Sequence, residues 1–257
     1  MKMLSGLWHE SSSQRFLKRI EYEPANLFDG SVLMRMREFV NFDTIKSVLS
    51  IGCGNGRFEL PLLERFPITV DFIEPSPSMF EELGNNLKMV KGPGKAGVLF
   101  NGRFEEFITQ KQYDFIFGIH SFYFMENAVI CAQRAARLLN SSGHLAIVLH
   151  ATDGFGRRLI CEFDHAGIQG GATAEWLYEQ LSDSWELSFI ESHLPYNDFV
   201  EGDCLTARGR AFVAFYAYRD WRTFVPAEKQ RARKIIEEHS DGRIIREKFG
   251  VLHFRNN

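Results

Sequence analysis

Short apolar runs bounded by turn residues recur along this chain. Ser47–Ile51, Thr69–Ile73, Tyr113–Ile119 and His144–His150 are apolar on both faces, as strands buried in a parallel sheet are. The stretches between them place apolar residues at helical spacing and predict helices over Arg57–Arg65, from the Pro75–Met79 turn through about Leu87, over Asn127–Leu139 and over Thr173–Leu181. Such alternation predicts an α/β fold. Lys91–Gly97 reads as a glycine-rich loop leading into a short third strand that begins at Val98. Trp185–His193 and Arg243–Phe254 read as extended, with a helical insertion between them from Leu205 to about His239, while Ala151–Ala172 reads as loop.

Upstream, Val32, Leu33, Met36, Phe39 and Val40 approximate one face of a helix that Ser31 can cap, and Trp8, Phe16, Leu17 and Ile20 sit among polar residues. Residues 1–43 are therefore expected to form a helical cover, and residues 44–257 the main domain.

The turn after Ile51 carries Gly52, Gly54 and Gly56. Glycine lets the backbone turn sharply and leaves room for a ligand where a Cβ would collide. The helix that follows presents unpaired N–H groups to an anionic group. Glu74 ends the next strand, where a carboxylate accepts hydrogen bonds from ribose hydroxyls. A dinucleotide fingerprint has its third glycine three residues after the second; here that position is Arg57, and the third glycine comes one residue earlier.

These residues resemble the class I S-adenosylmethionine-dependent methyltransferases, whose first motif has the spacing Gly-x-Gly-x-Gly and whose second is the acid at the end of the next strand. The resemblance implies S-adenosylmethionine as cofactor. It also implies a Rossmann-like seven-stranded sheet, mostly parallel with an antiparallel last strand, and helices on both faces. That family often carries Asp or Glu two residues before the first glycine, and this chain has Ser50 there. Residues after the acid pack against adenine in the family, which points to Pro75, Ser76 and Met79; Asn101 and Arg103 occupy the place of its adenine-edge contacts. Ser76 or Ser78 reads equally well as a helix N-cap. Within the family, VLSIGCGNG, FIEPSPSMF, YDFIFGIHSFYFM and the terminal DGRIIREKFGVLHFR resemble the histamine N-methyltransferase group. That group has glutamine after the fourth strand, where this chain has His120.

Ligands of open α/β sheets bind outside the carboxyl ends of the strands. Ile119 is therefore placed beside the cofactor, and His120 and Tyr123 are the candidate catalytic residues. His120 takes a proton from the acceptor or hydrogen-bonds it, while Phe122, Tyr123 and Phe124 wall the pocket or steady a cation. His150 ends the fifth strand as a second candidate. The expected reaction is in-line methyl transfer to a small molecule, at an amine or imidazole nitrogen. The alternatives are an O- or C-methyltransferase of specialised metabolism, or a non-catalytic S-adenosylmethionine-binding module.

Composition narrows the partners. With 45% apolar and 25% charged residues and a net charge of −3, the chain has no broad basic footprint for nucleic acid. Cys53, Cys131, Cys161 and Cys204 lack Cys-x-x-Cys spacing, and neither a metal-binding His-Glu-x-x-His nor a Gly-x-Ser-x-Gly elbow occurs. No metal, nucleic-acid or membrane partner is expected, and reduced thiols point to a cytoplasmic protein. Oligomeric state is left open.

Overall fold

The computed structural model describes residues 27–163, 172–181 and 183–256. Trp8, Phe16, Leu17, Ile20 and the loop residues Asp164 and His165 lie outside them. In chain order the described elements are α1 (Leu27–Met36), β1 (Ser47–Ile51), α2 (Glu59–Arg65), β2 (Thr69–Ile73), α3 (Pro77–Leu87), β3 (Lys95–Phe100), β4 (Tyr113–Ile119), α4 (Ala128–Arg137) and β5 (Leu139–His150). There follow α5 (Phe155–Phe163), α6 (Ala174–Gln180), β6 (Trp185–Pro195), a small hairpin of β7 (Val200–Glu201) and β8 (Cys204–Leu205), α7 (Ala207–Tyr216), α8 (Pro226–Glu238) and β9 (Ile244–Arg255).

The seven long strands form one sheet in the order β3-β2-β1-β4-β5-β9-β6. All neighbours are parallel except β9, which runs antiparallel to both β5 and β6. Alternate strand residues feed two cores. Leu49, Ile51, Tyr113, Ile116 and Leu145 pack under α4 and α6, and Val48, Val70, Phe115 and Phe117 pack against α1, α2 and α3. Helices thus cover both faces, as the expected fold requires. The order in which strands join the sheet reverses between β1 and β4, so their carboxyl ends open the crevice in which such sheets bind ligands.

Four boundaries differ from the sequence reading. Helix α1 begins at Leu27, so Ser31 lies within it rather than capping it, and it ends at Met36. Strand β3 starts at Lys95 rather than Val98, because the buried carboxylate of Asp71 accepts from Val98 N at 2.8 Å and draws the segment onto β2. Strand β5 starts at Leu139, because a register shift against β4 absorbs the residues around Gly143. The supposed loop after His150 contains α5, whose Phe155, Leu159, Ile160 and Phe163 are buried.

Those four side chains begin a third core, shared with Phe199, Phe212, Tyr216, Ile235, Ile236 and Ile245. The helical insertion is therefore a packed unit rather than a loose excursion. It joins the sheet where Leu194 and Ile245 pair, beyond the carboxyl end of β5.

Candidate active site

Three glycines shape the turn after β1. Gly52, Gly54 and Gly56 have φ of 71°, 58° and 83°, a region that costs an L-residue about 1–2 kcal/mol. Space is as restrictive as conformation: a Cβ on Gly52 would lie 2.3 Å from Ser121 Cβ, and one on Gly56 2.5 Å from Leu83 Cδ1. The loop is pinned from β2, where Ile73 O accepts from Gly52 N at 2.8 Å and from Cys53 N at 3.1 Å. Asn55 ties it to α3, donating to Glu82 and accepting from Asn86.

Glu74, 5% exposed, faces this loop from the end of β2. Its Oε2 accepts from Gly54 N at 2.7 Å and its Oε1 from Ser76 N at 2.8 Å. These bonds fix the orientation of the carboxylate against the loop. Ser76 caps α3 through Met79 N, and Pro77 fills the first helical turn. That cap sets Met79 over the loop, with its Cε 3.1 Å from where a Cβ of Gly54 would be. Pro75 is exposed beside them. Asn101 braces the rim by donating to Glu74 O at 2.8 Å. Arg103 instead turns to Glu105 and Glu126, at 3.3 and 3.5 Å.

Ser50 is buried on β1, and its hydroxyl donates to Glu59 at the start of α2. Glu59 was not singled out by the sequence, although an acid beside the apolar Phe58, Leu60 and Leu62 is an available signal. Cys53 lies close to both Glu59 and Glu74; burial and these two carboxylates push its thiol well above the usual range.

Across the crevice, β4 ends at Ile119, which packs on the sheet core. His120 follows with φ of 54°, and its N–H donates to Val148 O at 2.9 Å. A strained non-glycine residue at a strand end is the kind of position that tends to be retained for function. Ser121 donates to Ile51 O at 2.6 Å, clamping β4 to β1 beneath the loop. His120 Nδ1 lies 2.9 Å from Tyr123 Oη, and the same phenol accepts from the His150 backbone N–H. Burial raises the Tyr123 phenol well above its usual range, so it stays protonated and serves as both donor and acceptor.

The rings of His120, Tyr123, His150 and Phe249 cluster with centroids 4.9–5.9 Å apart. Tyr216 from the insertion meets His150 at 5.3 Å. Glu247 on β9 lies 3.8 Å from His150 Nδ1 and accepts from Gly156 N at 2.6 Å. Phe249, Tyr216 and Glu247 come from sequence far beyond β4, and no local spacing could have grouped them with His120.

The two walls have different chemistry. One is a glycine cradle with a buried acid and an apolar cap, a set that fits an adenosyl group carrying a flexible tail. The other is a ring cluster able to exchange a proton. Together with the strand order, they define the class I methyltransferase architecture.

A family model described as a methyltransferase domain matches residues 16–198, and the chain belongs to that family. It is an S-adenosylmethionine-dependent methyltransferase. No curated protein sequence matches the chain. Among solved structures, it is similar to a SAM-dependent methyltransferase of Thermotoga maritima described as a possible histamine N-methyltransferase, with 15% identity over 98% of this chain and 100% of that one and a TM-score of 0.57. It is also similar to the YcgJ protein of Bacillus subtilis, with 15% identity over 89% and 98% of the two chains and a TM-score of 0.56. A coclaurine N-methyltransferase bound to N-methylheliamine and SAH shares 13% identity over 87% of this chain and 71% of that one, with a TM-score of 0.52. At these identities the likeness concerns the fold. No helix of the described residues is long and apolar enough to cross a membrane.

Proposed function

We propose that the enzyme methylates a small molecule at an amine or imidazole nitrogen. The carrying observation is the His120–Tyr123 pair at the end of β4, hydrogen-bonded at 2.9 Å and enclosed by His150, Phe249 and Tyr216. The cofactor, when bound, supplies a methyl group on a good leaving group. The chain must then orient the acceptor, exclude water and handle one proton. Aligning acceptor and methyl carbon can contribute on the order of 7–11 kcal/mol. Burial among rings disfavours the protonated amine and so exposes its lone pair. His120 takes up the released proton at whichever ring nitrogen its tautomer leaves open, and the Tyr123 hydroxyl rotates to match. Gly52, Gly54, Gly56 and Glu74 hold the nucleoside, with Ser76, Met79 and Ile119 around it, while Asn101 braces the rim. In this reading the segment ahead of β1 covers the crevice; Val32 and Met36 of α1 are buried on the sheet.

The resemblance to the histamine N-methyltransferase group supports nitrogen as acceptor atom. Incubation with methyl-labelled cofactor and a panel of amines, imidazoles, phenols and oxo acids tests it. Label is expected on nitrogen. Tyr123→Phe should cut turnover about 10- to 100-fold while cofactor affinity stays within about twofold. Label on oxygen or carbon alone would overturn the acceptor assignment.

A further inference from the structure

Charge is unevenly placed along the chain. Its net charge is −3, yet the insertion over residues 205–239 carries twice as many Lys and Arg as Asp and Glu. Several of those cations converge on a cavity of about 680 Å³ between the β7–β8 hairpin, α7, the turn at Trp221 and α8, a size that suits a small molecule. Among the described residues, no strand of the seven-stranded sheet lines it, so it is separate from the crevice at the strand ends. Its two acids are already engaged: Asp203 and Glu237 both pair with Arg233, at 3.5 and 2.8 Å. Lys234 reaches only Glu238, at 4.0 Å. Lys229 and Arg210 have no carboxylate partner among the described residues. Lys229 Nζ lies 5.8 Å from the centre of the Trp221 ring, and Arg210 donates to Leu205 O at 2.7 Å. Buried Phe224, 4.9 Å away between ring centres, holds the indole in the wall.

We propose that this cavity binds a small organic phosphate carrying a flat ring. A phosphate monoester bears a charge of about −1.5 to −2 at neutral pH, enough to answer several cations at once. Lys229 and Lys234 serve it as point charges, and Arg210 keeps N–H groups beyond the one given to Leu205 O for the phosphate oxygens. The ring of the ligand lies against Trp221, where aromatic contact adds to the ionic one.

Calorimetry of the full chain with phenyl phosphate tests it, with inorganic phosphate as the charge without the ring. Phenyl phosphate should bind with a Kd below about 1 mM, and inorganic phosphate about threefold to tenfold more weakly. Lys229→Gln should weaken phenyl phosphate about 10-fold or more. Saturating S-adenosylhomocysteine should leave its Kd within about twofold, because the two sites are separate. Cys204 and Cys161 are both exposed, and of the two Cys204 lines the cavity. Bound phenyl phosphate should therefore slow alkylation of Cys204 by iodoacetamide at least about threefold, read by peptide mapping, while Cys161 reacts as before. Absence of binding, equal affinity for inorganic phosphate, an unchanged Kd in Lys229→Gln or an unprotected Cys204 would each overturn the proposal. Displacement of phenyl phosphate by S-adenosylhomocysteine would overturn it as well, by moving the ligand to the crevice.

Discussion

The two walls of the crevice are built by opposite means. The wall proposed to hold the cofactor is mostly backbone: three glycines at positive φ, donated N–H groups and one acid, all within the stretch from β1 to the start of α3. The wall proposed to meet the acceptor is mostly side chain, with rings and an acid contributed from the end of β4 and from β5, α7 and β9. The first wall depends on conformations that few residues tolerate, whereas the second depends on distant elements arriving at one place. On the proposed reading, the acceptor can change through the rings while the glycine turn stays as it is.

The largest test of that division is Gly52→Val. The new Cβ would lie 2.3 Å from Ser121 Cβ and at a φ of 71° that a β-branched residue resists. Cofactor affinity should fall at least about 1000-fold, or about 4 kcal/mol. Circular dichroism should show the sheet retained. Unchanged affinity would mean that the loop is not the cradle.

Next comes Phe212→Ala in the insertion core. Phe212 stacks on Phe155 at 5.3 Å and meets Tyr216 at 4.9 Å. Its loss should cost about 3–4 kcal/mol of stability, by denaturant unfolding. Turnover should fall while cofactor affinity moves by no more than about threefold. A matching drop in cofactor binding would show that the two walls are not independent.

The smallest effect is expected in acid. Midway along β5, His144 Nδ1 lies 2.9 Å from His253 Nε2 on β9, beside Phe39, Glu186 and Arg255. Burial, His253 and Arg255 press the His144 imidazole down to about 4, and burial lowers His253 despite Glu186. Folded values below the unfolded value of about 6.5 mean that the unfolded chain binds more protons between the two. This contribution is therefore complete above pH ~6.5 and is lost as pH falls toward ~4, amounting to roughly 1–2 kcal/mol after allowance for partial exposure. His144→Gln should flatten the decline of Tm across that window; an equal decline in both proteins would place the acid sensitivity elsewhere.

The same contrast explains what the sequence disclosed. Strands β1, β2 and β4, the glycine turn and Glu74 were legible because each is written in adjacent residues. Strand β3 was not fully legible, because Lys95 and Ala96 pair with Thr69 and Val70 ahead of a register shift, where the distant carboxylate of Asp71 accepts from Val98 N. Helix α5 was hidden by Gly154 and Gly156, which read as breakers. Gly156 is instead small for contact, since a Cβ there would meet His150 Cε1 at 2.7 Å and Tyr216 Cζ at 2.9 Å. Glu59 was overlooked because its partner lies behind it, across a turn. Glu247 and Phe249 belong to the site only because β9 folds back beside β5.

That strand has an effect on how the molecule comes into being. β9 follows β6 in the chain yet lies between β6 and β5. Until residues 244–255 leave the ribosome, β6 has no neighbour in the sheet, and Glu247 and Phe249 do not yet exist to face His150. The glycine turn can form early in synthesis, but the pocket proposed for the acceptor closes only when this strand wedges in between β5 and β6.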